Sequence, residues 1–68
     1  MTNFIKLREA IEESGKSMTR IAKDSGILRE TLYNRLNGVG EFTASEIVGL
    51  TKCLRLTKKQ RDDIFFSL

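Results

Sequence analysis

Residues 17–38 read SMTRIAKDSGILRETLYNRLNG, and this segment determines how the rest of the chain can fold. It predicts two short helices joined by a tight turn, which must cross steeply where they touch. Ala22 supplies the small side chain that such a crossing needs, because a larger one would push the second helix away. Gly26 follows four residues later, where it can take a positive φ at little steric cost. Ile27 is then expected to fill the core beneath the turn.

The second helix of this pair, over about residues 29–37, has one apolar and one polar side. Leu32 and Leu36 lie one turn apart and are expected to anchor this helix on the core. The side chains expected to project from its exposed surface are Arg29, Glu30, Tyr33, Asn34 and Arg35. This spacing of a small residue, a glycine and apolar anchors is typical of a helix-turn-helix.

Capping signals and apolar spacing predict three further helices. The first helix spans about residues 3–13, where apolar side chains recur every three or four positions. The fourth helix begins at Thr43, which forms a capping box with Glu46, and the fifth repeats this box with Thr57 and Gln60. We therefore expect the whole chain to be one all-α domain, a compact five-helix bundle with short connections.

Composition excludes most enzymatic chemistry. The chain has 68 residues, no histidine and one cysteine, Cys53, which is expected to be a core residue. It therefore lacks a Ser-His pair, an imidazole base and a Cys/His zinc cage. We expect neither catalysis nor a metal, a cofactor or a small-molecule ligand. The N-terminus shows no signal pattern and no apolar run could span a membrane, which predicts a soluble cytoplasmic protein.

Positive charge is concentrated in the middle of the chain. Residues 16–40 carry five basic and two acidic side chains, a net charge of +3, and the charges of the two flanking segments cancel each other. A basic stripe on one pair of helices suits a phosphate-binding surface, and a solvated helix face would explain the same run.

Four segments carry a family resemblance: FIKLR at 4–8, TLYNRLNG at 31–38, EFTASEI at 41–47 and RDDIFF at 61–66. With these, nearly the whole chain resembles the Cro and phage-repressor type of helix-turn-helix protein, also called the XRE family. The last two segments resemble small phage-encoded regulators from Gram-positive hosts. The resemblance implies a λ-repressor-like domain that binds a pseudo-palindromic double-stranded DNA operator as a dimer and regulates transcription.

The resemblance also implies roles for individual residues. Arg29, Glu30 and Asn34 match positions that contact base edges in the major groove. Arginine suits guanine, asparagine suits adenine, and glutamate can accept a hydrogen bond from cytosine. Glu30 could equally serve only to complement the dipole of its own helix. The implied contacts to the DNA backbone are Ser17, Met18, Thr19, Tyr33, Arg35, Asn37 and Gly38.

Leu28 departs from the family pattern, which usually has Ser or Thr at this position to cap the recognition helix. Leucine cannot cap, and the loss of a cap typically costs about 1 kcal/mol of stability. Leu28 could contact a thymine methyl group or a partner protein, but simple tolerance of a poor cap is the preferred interpretation.

The C-terminal segment predicts a contact between two copies of the chain. Two adjacent aromatic residues on one helix cannot both face the same core, so we expect a dimer contact from Phe65, Phe66 and Leu68. With so short a chain, we expect a weak homodimer, or a monomer that pairs on DNA.

The competing interpretation is a helix-turn-helix that binds protein, as in an antitoxin or an anti-repressor. Such a module should present an apolar outer face on its second helix. The outer face predicted here is polar and rich in hydrogen-bonding groups, which favours DNA as the partner.

Overall fold

A computed structural model describes residues 1–67 of the chain, which fold into five helices without a strand among them. The all-α five-helix architecture predicted from the sequence is confirmed. The five helices are α1 at Phe4–Ser14, α2 at Met18–Ser25, α3 at Arg29–Leu36, α4 at Ala44–Cys53 and α5 at Lys58–Phe65. Leu68 lies outside the described residues.

Side-chain caps fix where four of these helices begin. Asn3 caps α1, so that helix starts one residue later than predicted. Ser17 caps α2, and both predicted capping boxes are present, from Thr43 to Glu46 in α4 and from Thr57 to Gln60 in α5. Each cap satisfies backbone N–H groups that the first helical turn leaves without a partner.

The core is a single cluster, and α2 lies at its centre, packed against both α3 and α4. Within residues 1–67, the four side chains sealed completely from solvent are Leu7, Ile21, Leu32 and Leu50. Helix α5 closes the bundle by packing on α1 and α4. The backbone N–H of Asn3 donates to the carbonyl oxygen of Ile64 at 2.6 Å, which fastens the start of the chain to its last helix.

Gly49 allows α4 to approach α2 closely. A Cβ atom at this position would overlap the backbone carbonyl oxygen of Ser25 and lie 3.1 Å from its carbonyl carbon. Only a residue without a side chain therefore fits where α4 passes the C-terminal end of α2. Nothing in the local sequence pattern of α4 predicts this contact, because it depends on the packing of two separate helices.

The two adjacent phenylalanines near the C-terminus divide between core and surface. Phe65 is buried and its ring packs edge-to-face on Phe42, with the ring centroids 5.3 Å apart. Phe65 is thus a core residue and not the dimer contact predicted from the sequence. Phe66 is 54% exposed. Among residues 1–67, it is the one member of the predicted dimer contact that lies on the surface.

None of the five helices has the length and apolar character that crossing a lipid bilayer would demand.

Candidate nucleic-acid interface

The turn between α2 and α3 has the conformation predicted from its sequence. Gly26 adopts φ 76°, and its N–H donates to the carbonyl oxygen of Lys23 at 3.3 Å. The N–H of Ile27 donates to the carbonyl oxygen of Ala22 at 3.0 Å, which completes a Schellman motif. Ala22 and Ile27 are both buried. Helix α3 therefore leaves the turn in a direction fixed by backbone hydrogen bonds and core packing.

The outer face of α3 presents the three side chains predicted to contact bases. Arg29, Glu30 and Asn34 are all exposed, while Leu32 and Leu36 are buried. Glu30 and Asn34 are four residues apart and share the side that faces away from these leucines, whereas Arg29 is exposed as the first residue of the helix. The structure thus brings a guanidinium, a carboxylate and a carboxamide together on one solvent-facing surface.

Tyr33 lies on the same face and contacts Arg29. The Cζ atom of Arg29 lies 5.6 Å from the centre of the Tyr33 ring, a distance at which a cation is attracted to the ring face. Tyr33 is 39% exposed, so its ring is partly packed and partly open to solvent. The phosphate contact expected for Tyr33 from the sequence does not reveal this contact with Arg29.

The predicted backbone-contacting residues of α2 lie at its N-terminal end. The hydroxyl of Ser17 accepts a hydrogen bond from the backbone N–H of Arg20 at 3.1 Å, so this oxygen already caps the helix. Thr19 is exposed, whereas Met18 is only partly exposed and packs against the core. The positive end of the helix dipole lies at this exposed surface.

The loop after α3 supplies the other predicted backbone contacts. Asn37 and Gly38 are both exposed, and Gly38 adopts φ 82° in the turn that follows the helix. Asn37 itself follows the helix instead of forming its last residue. The N–H of Val39 donates to the carbonyl oxygen of Asn34 at 2.8 Å, so α3 ends in the same type of motif as α2.

Arg35 is held within the chain. Its Nε lies 3.3 Å from the Oε1 of Glu46, and its Nη1 donates to the carbonyl oxygen of Val39 at 3.1 Å. The side chain is only 22% exposed, and the guanidinium packs over Gly40, where a Cβ would collide with it. Arg35 therefore joins the end of α3 to α4, and contact with a phosphate would require it to leave these partners.

Arg8 also holds the end of α3, a role that the sequence did not reveal. Its Nη2 donates to the carbonyl oxygen of Leu36 at 3.0 Å. This bond satisfies a carbonyl group of the last helical turn and places a positive charge at the negative end of the dipole. Since the two residues are 28 positions apart, no local spacing could have indicated the contact.

Several of the basic side chains predicted to form a stripe over residues 16–40 are held in ion pairs within the chain. Lys16 and Arg20 share the carboxylate of Asp24, with N–O distances of 3.4 and 2.9 Å. Desolvation raises the pKa of the Asp24 carboxyl, but the hydrogen bonds from Arg20 and Lys16 outweigh it and hold this pKa below that of an ordinary aspartate. Within residues 1–67, Lys23 and Arg29 are the two members of the stripe that form no ion pair.

Lys16 makes a second connection that the sequence does not reveal. Its Nζ donates to the carbonyl oxygen of Cys53 at 3.1 Å, at the C-terminal end of α4. Lys16 thus ties α2 to α4 and belongs to the scaffold that positions α3. Cys53 is buried beside it, which confirms its expected place in the core.

Leu28, at the start of α3, makes no side-chain capping bond and is 77% exposed. Of the five helices described in residues 1–67, α3 is the one that begins without such a bond. The recognition helix predicted from the sequence is therefore held firmly at its C-terminal end and is uncapped at its N-terminal end.

Comparison with known proteins identifies no family for the chain. No protein-family model matches it, and no solved structure does so either. An uncharacterised protein from Haemophilus influenzae is 42% identical over 41 residues. That match covers 60% of this chain and 42% of the relative, so the chain corresponds to less than half of that protein's length.

Proposed function

We propose that this protein binds double-stranded DNA through α3 and regulates transcription as a helix-turn-helix protein of the Cro and phage-repressor type. One observation carries the proposal. Arg29, Glu30 and Asn34 are exposed together on a helix that Leu32 and Leu36 anchor in the core. A rigid helix that presents hydrogen-bonding groups on one side is the element that reads the major groove in such proteins.

The chemistry of these three side chains suits base recognition. Arg29 can donate two hydrogen bonds to the O6 and N7 atoms of guanine, and Asn34 can bind the N6 and N7 atoms of adenine. Glu30 can accept from the N4 amino group of cytosine. Each good bidentate contact discriminates against the wrong base by about 1–3 kcal/mol.

Backbone contacts would fix the position of α3 on the duplex. The exposed N-terminal end of α2, with Ser17 and Thr19, would approach one phosphate. Asn37 and Gly38 would approach another from the loop that follows α3. These contacts carry no sequence information, but they set the register in which the bases are read.

The proposal includes pairing of two copies on an operator. A pseudo-palindromic site would hold two recognition helices about one helical turn apart, so the protein dimerises weakly in solution or only on DNA. Phe66, which borders an open groove together with Phe42 and Gly38, is an exposed aromatic residue available for that contact. The protein would act in the bacterial cytoplasm without a small-molecule ligand.

Selection from a randomised duplex pool, followed by sequencing, tests this function. We expect an inverted repeat to be recovered by the wild-type protein. Arg29→Ala and Asn34→Ala should each lose selectivity at one base pair of a half-site. Lys58→Ala is the matched control, because it removes one positive charge from an exposed position on α5, which packs on α1 and α4.

Specific DNA binding would be rejected if the selection recovers no motif and the affinity for DNA only weakens as the salt concentration increases. Protein contact, as in an antitoxin or an anti-repressor, would then become the leading function. Leu28 and Phe66 would be the exposed apolar residues to test for that contact.

A further inference from the structure

Arg29 is held differently from the other arginines whose side-chain contacts the structure describes. Arg20, Arg35 and Arg61 each pair with a carboxylate. Among residues 1–67, the guanidinium of Arg29 has neither a carboxylate nor a carbonyl partner. Its described contact is the ring of Tyr33, whose centre lies 5.6 Å from the Arg29 Cζ atom.

We propose that Tyr33 is a positioning residue, whose ring holds the Arg29 guanidinium in place for reading a base. This inference rests on the proposed DNA-binding function. It replaces the phosphate contact that the sequence predicts for Tyr33. Tyr33 acts through Arg29 and so determines how sharply the protein discriminates guanine at one base pair.

An aromatic ring suits this task better than a carboxylate. A carboxylate would occupy the N–H groups of the guanidinium and neutralise its charge, leaving few donors for a base. The face of a ring attracts the cation without accepting hydrogen bonds from it in the guanidinium plane. All five N–H donors of Arg29 thus remain available for the O6 and N7 atoms of guanine.

The order of the two residues along α3 favours this contact. Side chains on a helix lean toward its N-terminus, so a residue covers the surface over the preceding turn. Tyr33 follows Arg29 by four residues, and its ring therefore leans back over the position of Arg29. Arginine has many rotamers when free, so restricting it in advance reduces the entropy that binding must remove.

The hydroxyl group of Tyr33 plays no part in this proposal, which separates it from the phosphate interpretation. Tyr33→Phe keeps the ring and removes the hydroxyl, whereas Tyr33→Leu removes the ring and keeps an apolar side chain. The positioning role predicts that Phe rescues the function and Leu does not. A phosphate contact through the hydroxyl predicts that both variants weaken binding at every sequence.

Two measurements on the full chain test the proposal. The first uses the free protein, where the ring should shift the NMR signals of the Arg29 Hδ and Hε protons upfield. That shift should persist in Tyr33→Phe and disappear in Tyr33→Leu. The thermal midpoint of each variant, measured by circular dichroism, verifies that the fold is retained.

The second measurement uses the duplex recovered by selection and its derivatives with the guanine opposite Arg29 replaced by adenine or 7-deazaguanine. We expect Tyr33→Leu to lower the discrimination between these duplexes roughly two- to fivefold, the range given by an exposed cation–π contact. Discrimination at the base pair read by Asn34 should not change. Tyr33→Phe should match the wild type at both base pairs.

The outcomes separate the failure of this inference from the failure of the proposed function. Absence of the upfield shift in the free wild-type protein would overturn the positioning role. The positioning role would also be overturned if the upfield shift is present but Tyr33→Leu retains full discrimination between the duplexes. In that case the DNA-binding function would stand. If the selection yields no motif, the proposed function fails and the positioning role fails with it, even where the upfield shift is observed.

Discussion

Gly49→Ala should destabilise the protein, although alanine is the better helix former. The new methyl group would overlap the carbonyl oxygen of Ser25. Because this obstacle is backbone, it cannot rotate aside, and α4 must move away from α2. Overpacking of this kind costs about 1–3 kcal/mol, and a direct overlap with backbone belongs at the upper end of that range. Alanine is more favourable than glycine in a helix by about 1 kcal/mol. The free energy of unfolding should therefore fall by about 2 kcal/mol in total.

Thermal unfolding followed by circular dichroism measures this loss. For a domain of this size, 1 kcal/mol shifts the midpoint by about 4–8 °C, so Gly49→Ala should lower Tm by roughly 8–16 °C. Val48→Ala is the matched control, because Val48 is the neighbouring residue in α4 and is largely exposed. It should leave Tm nearly unchanged. A Tm for Gly49→Ala equal to or above that of the wild type would refute the close approach of α4 to α2.

Three further predictions concern caps and charges. Leu28→Ser should raise the free energy of unfolding by about 1 kcal/mol, since it gives α3 the missing cap, and urea denaturation would show no gain if the cap does not form. Thr57→Ala should lower that free energy by about 1 kcal/mol by breaking the capping box of α5, and an unchanged denaturation midpoint would contradict the box. The pair formed by Asp24 with Arg20 and Lys16 should stabilise the protein fully above the unfolded aspartate pKa of about 3.9, and this contribution should vanish as pH falls through the lower folded pKa. Asp24→Asn should therefore lose less stability between pH 7 and pH 2.5 than the wild type, and equal losses in the two proteins would exclude a role for this pair.

Local sequence signals predicted most of the secondary structure correctly. The caps at Ser17, Thr43 and Thr57 act within four residues of the helix start, so they can be recognised without knowing the fold. Gly26 is similar, because its positive φ and its hydrogen bonds involve only the turn between α2 and α3. Sequence patterns also predicted that Glu30 and Asn34 face away from Leu32 and Leu36, since that follows from the helical period alone.

Contacts between distant segments could not be predicted in this way. The pairing of Arg35 with Glu46 and the hydrogen bond from Arg8 to Leu36 join different helices. These contacts decide which basic side chains are available to a ligand, so a count of charges along residues 16–40 overstated the free basic groups. The division between Phe65 and Phe66 likewise depends on where Phe42 lies in the folded core.

The candidate site is thus a mixture of predicted and unforeseen features. The sequence placed Arg29, Glu30 and Asn34 on one exposed face, and the structure agrees. It did not reveal that the ring of Tyr33 contacts Arg29, because a spacing of four residues permits such a contact without requiring it.

NMR mapping of the DNA contact tests the central claim that α3 reads the duplex. The measurement would follow the backbone amide signals of the labelled full chain, together with the side-chain signals of Arg29 and Asn34, as the selected duplex is added. We predict the largest shifts within residues 29–34, with smaller ones at the N-terminal end of α2. Shifts confined to α5 around Lys58 and Lys59, with the α3 signals unchanged, would contradict the account.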